Sequence, residues 1–186
     1  MLEIKNVSKS FGDKKVLSDF NLTPKNNSVT AIMGRSGCGK TTLFMIILGL
    51  VEKDGGEVFK DGLEIRAVFQ DDRLLENRTA LENLLFVSKD ENTAKKLLAK
   101  FGLSDSLDIP CSKLSGGMKR RVAFARALIT NPDVLLLDEP YNALDAETKR
   151  ILINSTAEYA ESHTVLLITH NKDEADMLNA DIINLG

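Results

Sequence analysis

The residues from Gly34 to Thr41 read Gly-Arg-Ser-Gly-Cys-Gly-Lys-Thr and match the pattern GxxxxGK[ST] at every fixed position. Glycines let this backbone curl so that successive N–H groups point at phosphate oxygens. A helix beginning near Lys40 adds a partial positive charge of roughly +0.5 at its N-terminus. Lys40 is expected to reach the β- and γ-phosphates of a bound nucleotide, and the Thr41 hydroxyl to ligate Mg²⁺. We expect nucleotide binding by these loop residues: Gly34, Ser36, Gly37, Cys38, Gly39, Lys40, Thr41 and Thr42.

The pair Asp138–Glu139 is a second group whose side chains could take part in catalysis. It follows the apolar run Val134 to Leu137. Ligands of open α/β sheets sit at the carboxyl ends of the strands, so Asp138 there would hold Mg²⁺ directly or through water. Glu139 would orient or deprotonate the attacking water. Taken alone, the same residues are a strand that ends in a solvated acidic loop. The phosphate-binding loop upstream favours the catalytic interpretation.

A third feature is Leu114-Ser115-Gly116-Gly117-Met118, which precedes a basic helix. A serine before two glycines is a common helix N-cap. The same geometry also forms an anion site, with a hydroxyl, glycine N–H groups and a helix N-terminus. The residues alone leave both interpretations open, and a second phosphate site in one chain needs an explanation.

Six motifs, in the same order along the chain, resemble those of the ATP-binding cassette family, and the resemblance covers nearly the whole sequence. These are the Walker A loop (Gly34 to Thr41), the Q-loop glutamine Gln70, the LSGG signature (Leu114 to Gly117), the Walker B segment (Asp138-Glu139-Pro140), the D-loop (Ala143-Leu144-Asp145) and the switch histidine His170.

The resemblance implies that two cassettes pair head to tail around each ATP. Ser115, Gly116 and Gly117 would then contact the γ-phosphate held by the partner's loop, with Asp145 at the same junction. One phosphate loop and one signature per chain imply a homodimer or a pair with a similar chain.

The resemblance also assigns further roles near the nucleotide. His170 would act with Glu139 and Gln70 in catalysis, and Gln70 would share Mg²⁺ with Thr41 and Asp138. Phe11 falls where the family stacks an aromatic ring on adenine, although an apolar aromatic is often simply core. Cys38 fills a variable loop position and His163 is expected to be structural, so neither receives a catalytic role. Met118 and Asn142 depart from the usual Gln and Ser without removing a phosphate contact.

Short buried strands and capped helices are predicted around these motifs. Alternation from Leu2 to Leu22 about Gly12-Asp13 indicates antiparallel strands. The capping pair Thr79 and Glu82 predicts a helix. The remaining predictions are strands at Val29–Met33, Ile65–Phe69, Val134–Leu137 and Thr164–Ile168, and helices at Thr41–Leu48, Thr93–Phe101, after Ser115-Gly116-Gly117 to about Ile129, and after Asn171 with Glu174 as a second cap.

The predicted fold class is α/β, a P-loop NTPase core with a mostly parallel sheet, an N-terminal antiparallel β subdomain and a small helical insert. The chain of 186 residues is expected to form one ATPase domain, 1–186, with the insert between about Asp71 and Ser115. No regulatory C-terminal domain is expected beyond the last strand.

Composition excludes several classes of protein. A formal net charge of −3 argues against a nucleic-acid partner. Cys38 and Cys111 give neither a disulfide framework nor metal-ligand spacing, which suits a reducing cytosol. The charged N-terminus lacks a secretory signal, and the longest apolar run, Leu43 to Val51, is too short to cross a bilayer. A cytoplasmic protein, peripheral on the cytoplasmic face of the cell membrane, is expected.

The segment Phe69-Gln70-Asp71-Asp72-Arg73-Leu74-Leu75 resembles importer cassettes for nitrate, sulfonates, taurine and related solutes. This resemblance implies transmembrane permease subunits and a solute-binding protein acting through them. A permease helix would enter the helical insert, where Leu74, Leu75 and Leu84 could line its groove or form the insert's own core.

Two alternatives remain at this point. A cassette of the translation or DNA-maintenance type would need a second cassette or a long coiled-coil insertion. A P-loop small-molecule kinase would need a substrate pocket and lid in place of the signature helix and His170.

Overall fold

The computed structural model describes residues 1–186 and contains two β-sheets flanked by helices. The strands are β1 (Glu3–Phe11), β2 (Lys14–Leu22), β3 (Val29–Met33), β4 (Gly55–Phe59), β5 (Ile65–Val68), β6 (Val134–Asp138), β7 (Thr164–Ile168) and β8 (Asp181–Asn184). The helices are α1 (Lys40–Leu48), α2 (Ala80–Leu85), α3 (Glu91–Lys100), α4 (Gly116–Leu128), α5 (Ala146–Ala160) and α6 (Lys172–Met177). The predicted fold class is confirmed.

The smaller sheet is antiparallel, in the order β2-β1-β4. The predicted turn is confirmed at Gly12, whose φ of 57° lies in the left-handed region that glycine tolerates. Strand β4 was not predicted, because its Gly55-Gly56 start gives no apolar alternation. A Cβ at Gly56 would lie 2.3 Å from the carbonyl oxygen of Asn6, so only glycine lets β4 pass β1 this closely.

The larger sheet is parallel, in the order β5-β6-β7-β3-β8. Every residue of β6 and β7 is buried, as their unbroken apolar sequences predict. All five strands point the same way, so their carboxyl ends lie at one edge. This edge therefore receives the phosphate loop after β3, Gln70 after β5, Glu139 after β6 and His170 after β7.

Helix ends follow the polar side chains next to them. Thr79 and Glu82 form the predicted capping box of α2. Helix α3 starts at Glu91, two residues earlier than predicted, because the Asp90 carboxylate accepts a bond from the Thr93 amide. Asn171 caps α6 as predicted, but Glu174 is wrong as a second cap. Its side chain is buried and binds Thr169 and Lys149 instead.

Two apolar clusters cover the two faces of the parallel sheet. One packs α2, α3 and α4 against Leu135 and Leu137, whereas the other packs α1 and the antiparallel sheet against Val134 and Leu136. Leu84 has no exposed surface and belongs to the first cluster, which settles its role as core rather than groove. No helix combines the length and apolarity that crossing a membrane would need.

Candidate active site

The phosphate loop wraps around the amino end of α1. Gly39 precedes this helix with a φ of 106°, and a Cβ there would lie 2.6 Å from the carbonyl oxygen of Val16. Lys40 is only 8% exposed. Its Nζ donates to the carbonyl oxygens of Gly34 at 2.8 Å and Arg35 at 2.9 Å. The ammonium group thus lies inside the curve of the loop, where phosphate oxygens would bind. It can exchange its hydrogen bonds to these two carbonyl oxygens for bonds to phosphate oxygens.

Thr41 and Asp138 face each other across the same cleft. The Thr41 hydroxyl donates a 2.7 Å hydrogen bond to Oδ2 of Asp138, which is 3% exposed. Burial raises the pKa of Asp138, and the neighbouring Glu139 adds to this effect, while the Thr41 bond opposes it. A buried carboxylate whose charge is poorly compensated gains from a nearby cation.

The oxygen donors of this cleft fit Mg²⁺. The hydroxyl of Thr41, the carboxylate of Asp138 and the amide oxygen of Gln70 are all hard ligands. No group of three His, Cys, Asp or Glu residues could hold a metal ion by itself. Mg²⁺ is usually bound by one or two carboxylates together with substrate phosphates, and Asp138 supplies one buried carboxylate here.

Glu139 is held in a fixed orientation beside Asp138. Its φ of 47° lies in the left-handed region, where non-glycine residues are uncommon, and its amide donates to Ile168 at 2.9 Å. The carboxylate lies 3.1 and 3.0 Å from Nδ1 of His170 and accepts a 3.2 Å bond from Nδ2 of Asn142. A carboxylate in strained backbone with two side-chain partners is suited to orienting a water molecule.

These residues line one open cleft of about 530 Å³. It brings together twelve of the residues predicted from the sequence: Phe11, Gly34, Ser36, Gly37, Gly39, Lys40, Thr41, Thr42, Gln70, Asp138, Glu139 and His170. The Cys38 side chain instead lines a separate hollow of about 420 Å³ with Leu185 and Gly186. Its Sγ is 3.8 Å from Nζ of Lys40.

Besides Cys38, four predicted nucleotide contacts lie outside this cleft: Ser115, Gly116, Gly117 and Asp145. Ser115 is exposed and caps α4 by accepting from the Met118 amide at 3.3 Å. Asp145 caps α5, and bonds from the amide and hydroxyl of Thr148 lower its pKa. A Cβ at Gly117 would lie 3.4 Å from Oδ2 of Asp145, so the two helix starts are neighbours. They form a second polar patch away from the phosphate loop.

Phe11 extends from the end of β1 at the rim of the cleft. It is 52% exposed, so it is not a core residue. Nζ of Lys9 lies 5.3 Å from the ring centroid and forms a 2.7 Å ion pair with Asp54. Lys9 lies near one part of the Phe11 ring, and the exposed remainder of the ring offers an aromatic surface to a planar ligand.

Sequence reasoning missed three polar residues that support the site. Lys14 lines the cleft as a second cation, and its place beside a turn gave no signal. Asn142 was noticed only as a departure from serine, although it binds Glu139. Glu174 was assigned to a helix cap, although its carboxylate accepts from the Thr169 hydroxyl at 2.5 Å and from Lys149 at 2.7 Å.

Comparison with known proteins gives concordant matches. The model of the ABC transporter family matches residues 17–142. An aliphatic sulfonates import ATP-binding protein of Agrobacterium fabrum is 42% identical over 98% of this chain and 74% of its own length. A bicarbonate transport ATP-binding protein of Synechocystis is 40% identical over 94% of this chain and 70% of its own.

Solved structures agree with these relatives. The ATP-binding cassette MJ0796, in a dimeric post-hydrolysis state bound to ADP and Pi, superposes with a TM-score of 0.88 at 31% identity. The match covers 100% of this chain and 94% of that one. A second dimeric structure of the same cassette gives a TM-score of 0.89.

Proposed function

Because this chain belongs to the ABC transporter family and is an ATP-binding subunit with ATPase activity, we propose that it powers solute import through separate permease subunits. Family membership excludes the small-molecule kinase that the phosphate loop alone allowed. The import direction is supported by the names of similar proteins, which import sulfonates or transport bicarbonate.

The observation that carries the catalytic proposal is the meeting of two side-chain pairs in one cleft. Thr41 bonds Asp138 at 2.7 Å, and His170 bonds Glu139 at 3.0 Å. In our proposal the first pair, with Gln70, holds Mg²⁺, which neutralises phosphate charge when bound. Lys40 exchanges its carbonyl partners for β- and γ-phosphate oxygens. The loop amides from Gly34 to Thr42 bind the remaining oxygens.

Glu139 is proposed as the residue that orients and deprotonates the attacking water. His170 donates from Nδ1 to this carboxylate, so its other ring nitrogen is free to face the γ-phosphate. Asn142 adds a second bond to the same carboxylate, which restricts Glu139 to one rotamer. Phe11 stacks on the adenine ring.

A second copy of the chain is proposed to complete the site. Ser115, Gly116, Gly117 and Asp145 lie outside the cleft of their own chain, on neighbouring helix starts that suit an anion. Head-to-tail pairing would bring them to the partner's γ-phosphate. The matched solved structures are dimeric, which supports this assembly.

The permease is proposed to dock on a groove of about 750 Å³ in the segment from Leu74 to Phe86. Phe86 is 74% exposed and Leu75 is 38% exposed, which is unusual for large apolar side chains outside an interface. Charged residues border the groove, including Glu76 and Arg78. In this proposal the insert spans residues from about 71 to 115, and the protein lies on the cytoplasmic face of the membrane. A solute-binding protein would act through the permease.

The proposal is tested by co-expression with a candidate permease. Phe86→Asp should abolish co-purification and transport while leaving basal ATPase activity intact, because it alters only the groove. Met177→Asp is the matched control, since Met177 is 64% exposed on α6 and lies outside the groove. Unchanged co-purification by Phe86→Asp would contradict the docking site. Export of the solute by a reconstituted complex would contradict the import direction.

A further inference from the structure

A buried arginine of the helix that follows Ser115 holds the segment containing Gln70. Arg120 is 7% exposed and lies on α4. Its Nη1 donates to the carbonyl oxygen of Phe69 at 2.6 Å, and its Nη2 donates to that of Gln70 at 2.5 Å. Its Nε forms a 3.1 Å ion pair with Oδ1 of Asp72, although the angle is too poor for a hydrogen bond.

A second arginine of the same helix reinforces this contact. Nη2 of Arg126 donates to the carbonyl oxygen of Asp72 at 3.0 Å. The backbone from Phe69 to Asp72 is therefore attached to α4 at three carbonyl oxygens. Immediately beyond it, Arg73 has a φ of 49° and its guanidinium lies 3.7 Å from the Phe69 ring centroid. Of the residues in this constrained segment, Gln70 is the one that lines the nucleotide cleft.

The choice of arginine has a physical reason. A buried charge is costly unless its donors are satisfied, and a guanidinium offers a planar fork that can bind two acceptors at once. Here the fork spans two consecutive carbonyls, which fixes the peptide plane that leads into Gln70. A lysine at this position would offer a point charge without that geometry.

We propose that Arg120 is a positioning residue for ATP hydrolysis. It sets the direction of the Gln70 side chain and makes Gln70 move together with α4, which Ser115 caps at its N-terminus. Any tilt of α4 when Ser115 engages a partner's nucleotide is then transmitted to Gln70 in its own cleft. This inference rests on the proposed role of Gln70 at Mg²⁺ and water.

A structural alternative is that Arg120 only fastens the helical insert to the sheet. The adjacent Arg121 offers a matched comparison, because its Nη1 donates to two consecutive carbonyls, those of Phe101 at 2.8 Å and Gly102 at 3.4 Å. Neither of these two acceptor residues lines the nucleotide cleft. Arg121→Met therefore removes a comparable pair of arginine–carbonyl hydrogen bonds without altering Gln70.

The test compares Arg120→Met, Arg121→Met and Gln70→Ala by steady-state ATPase kinetics and by ATP binding without Mg²⁺. Arg120→Met is made together with Asp72→Asn, because removing one partner of a buried ion pair leaves an uncompensated charge. Asp72→Asn alone serves as its reference. We expect kcat to fall about 10-fold or more in the double variant, since misplacement by about 1 Å can cost 10²-fold. ATP affinity without Mg²⁺ should change less than about twofold.

Arg121→Met should keep kcat near the parent value and lower only thermal stability. In a Gln70→Ala background, the Arg120 change should have no additional effect on kcat. Amide hydrogen exchange of residues 69–73 should be faster in the double variant than in Asp72→Asn, and should stay unchanged in Arg121→Met. If the double variant does not fold, Arg120→Lys keeps the charge and the stem, and should lower kcat in the same direction.

The proposed positioning role of Arg120 is overturned if Gln70→Ala lowers kcat but the Arg120 variants do not. It is also overturned if the Arg120 penalty persists in full without the Gln70 side chain, which would indicate a purely structural role. If Gln70→Ala itself leaves kcat unchanged, the proposed role of Gln70 fails, and the positioning role of Arg120 fails with it. The single variants distinguish these cases.

Discussion

The carboxylate of Glu139 lies 3.0 Å from Nδ1 of His170, although the two residues are 31 positions apart in sequence. They meet because β6 and β7 are parallel neighbours, with Asp138 paired to Ile168 in register. An ionised carboxylate can only accept, so Nδ1 carries the proton in this pair. The imidazole is thus oriented by the same group that would activate water.

Glu139→Gln should nearly abolish turnover and trap an ATP-bound dimer. Glutamine keeps the size of the side chain but cannot take a proton, so kcat should fall by about 10²–10⁴-fold. Phosphate release and sizing chromatography in ATP and Mg²⁺ measure both effects. Glu161→Gln, at the exposed residue that directly follows α5, is the control and should behave as the parent. Full hydrolysis by Glu139→Gln would refute the assignment.

Lys40→Ala should weaken ATP binding, because it removes the buried ammonium that donates to Gly34 and Arg35. Charge-assisted hydrogen bonds contribute about 1.5–3 kcal/mol, so the Kd should rise on the order of 10- to 100-fold. Lys14→Ala should have a smaller effect, since this second cation lies in the more open part of the cleft. Lys53→Ala, at an exposed position, should leave the Kd unchanged. Equal affinity of Lys40→Ala and the parent would contradict the role.

Much of the fold was predictable because its local signals agree. The unbroken apolar runs of β6 and β7 and the capping box of α2 each appear in the structure as expected. Helix α5 was not predicted, although it has 15 residues and Asp145 accepts from the Thr148 amide at its start. Apolar and polar residues of α5 are not clearly separated onto two faces of the helix, so the sequence gives only a weak helical signal. The Asp145 signal was interpreted only as a contact with nucleotide.

The site was predictable wherever a motif fixes side chains at the end of a strand. The phosphate loop, Asp138 and Glu139 fall into this class. Supporting contacts such as Arg120 with Phe69 and Gln70 were not predictable, because they join residues about fifty positions apart. Packing between α4 and the end of β5 creates them, and no local sequence pattern encodes that packing.

Ser115→Arg should leave ATP binding to the monomer intact and block ATP-driven dimerisation. Ser115 lies outside its own chain's cleft, whereas a large cation at an exposed helix start would obstruct a facing copy. Sizing chromatography of the Glu139→Gln background in ATP and Mg²⁺ measures the dimer. Ser104→Arg, another exposed serine of the insert, is the control and should dimerise normally. Dimers that persist with Ser115→Arg would overturn the trans arrangement.

Phe11→Ala should weaken ATP binding, because it removes the aromatic surface at the rim of the cleft. Stacking of a base on an aromatic side chain is worth about 1–3 kcal/mol, so the Kd should rise roughly 5- to 100-fold. Phe59→Ala is a close control: Phe59 is 38% exposed on β4 and has Lys5 5.1 Å from its ring centroid, but it does not line the cleft. Phe11→Tyr should restore binding. Equal losses in the two alanine variants would exclude a specific stacking role.

Glu174→Ala should lower both stability and turnover, because its buried carboxylate joins α5 to the loop that carries His170. The carboxylate binds Lys149 on one side and the Thr169 hydroxyl on the other, and that hydroxyl accepts from the Asn171 amide at 3.0 Å. Truncation leaves these polar groups without an acceptor, so the free energy of unfolding should fall by about 1–3 kcal/mol. Urea denaturation measures this change. The loop that positions His170 also loosens, so kcat should fall even at temperatures where the variant is fully folded.

Asp176→Ala on the same helix controls for this change, since Asp176 is exposed. Its stability should stay within about 0.5 kcal/mol of the parent. Glu174→Gln should recover part of the kcat, because a glutamine amide oxygen can still accept from Thr169 while the ion pair with Lys149 is lost. A Glu174→Ala variant with parental kcat and reduced stability would limit Glu174 to a structural role. Recovery by glutamine of turnover but not of stability would instead separate the orientation of His170 from the anchoring of α5.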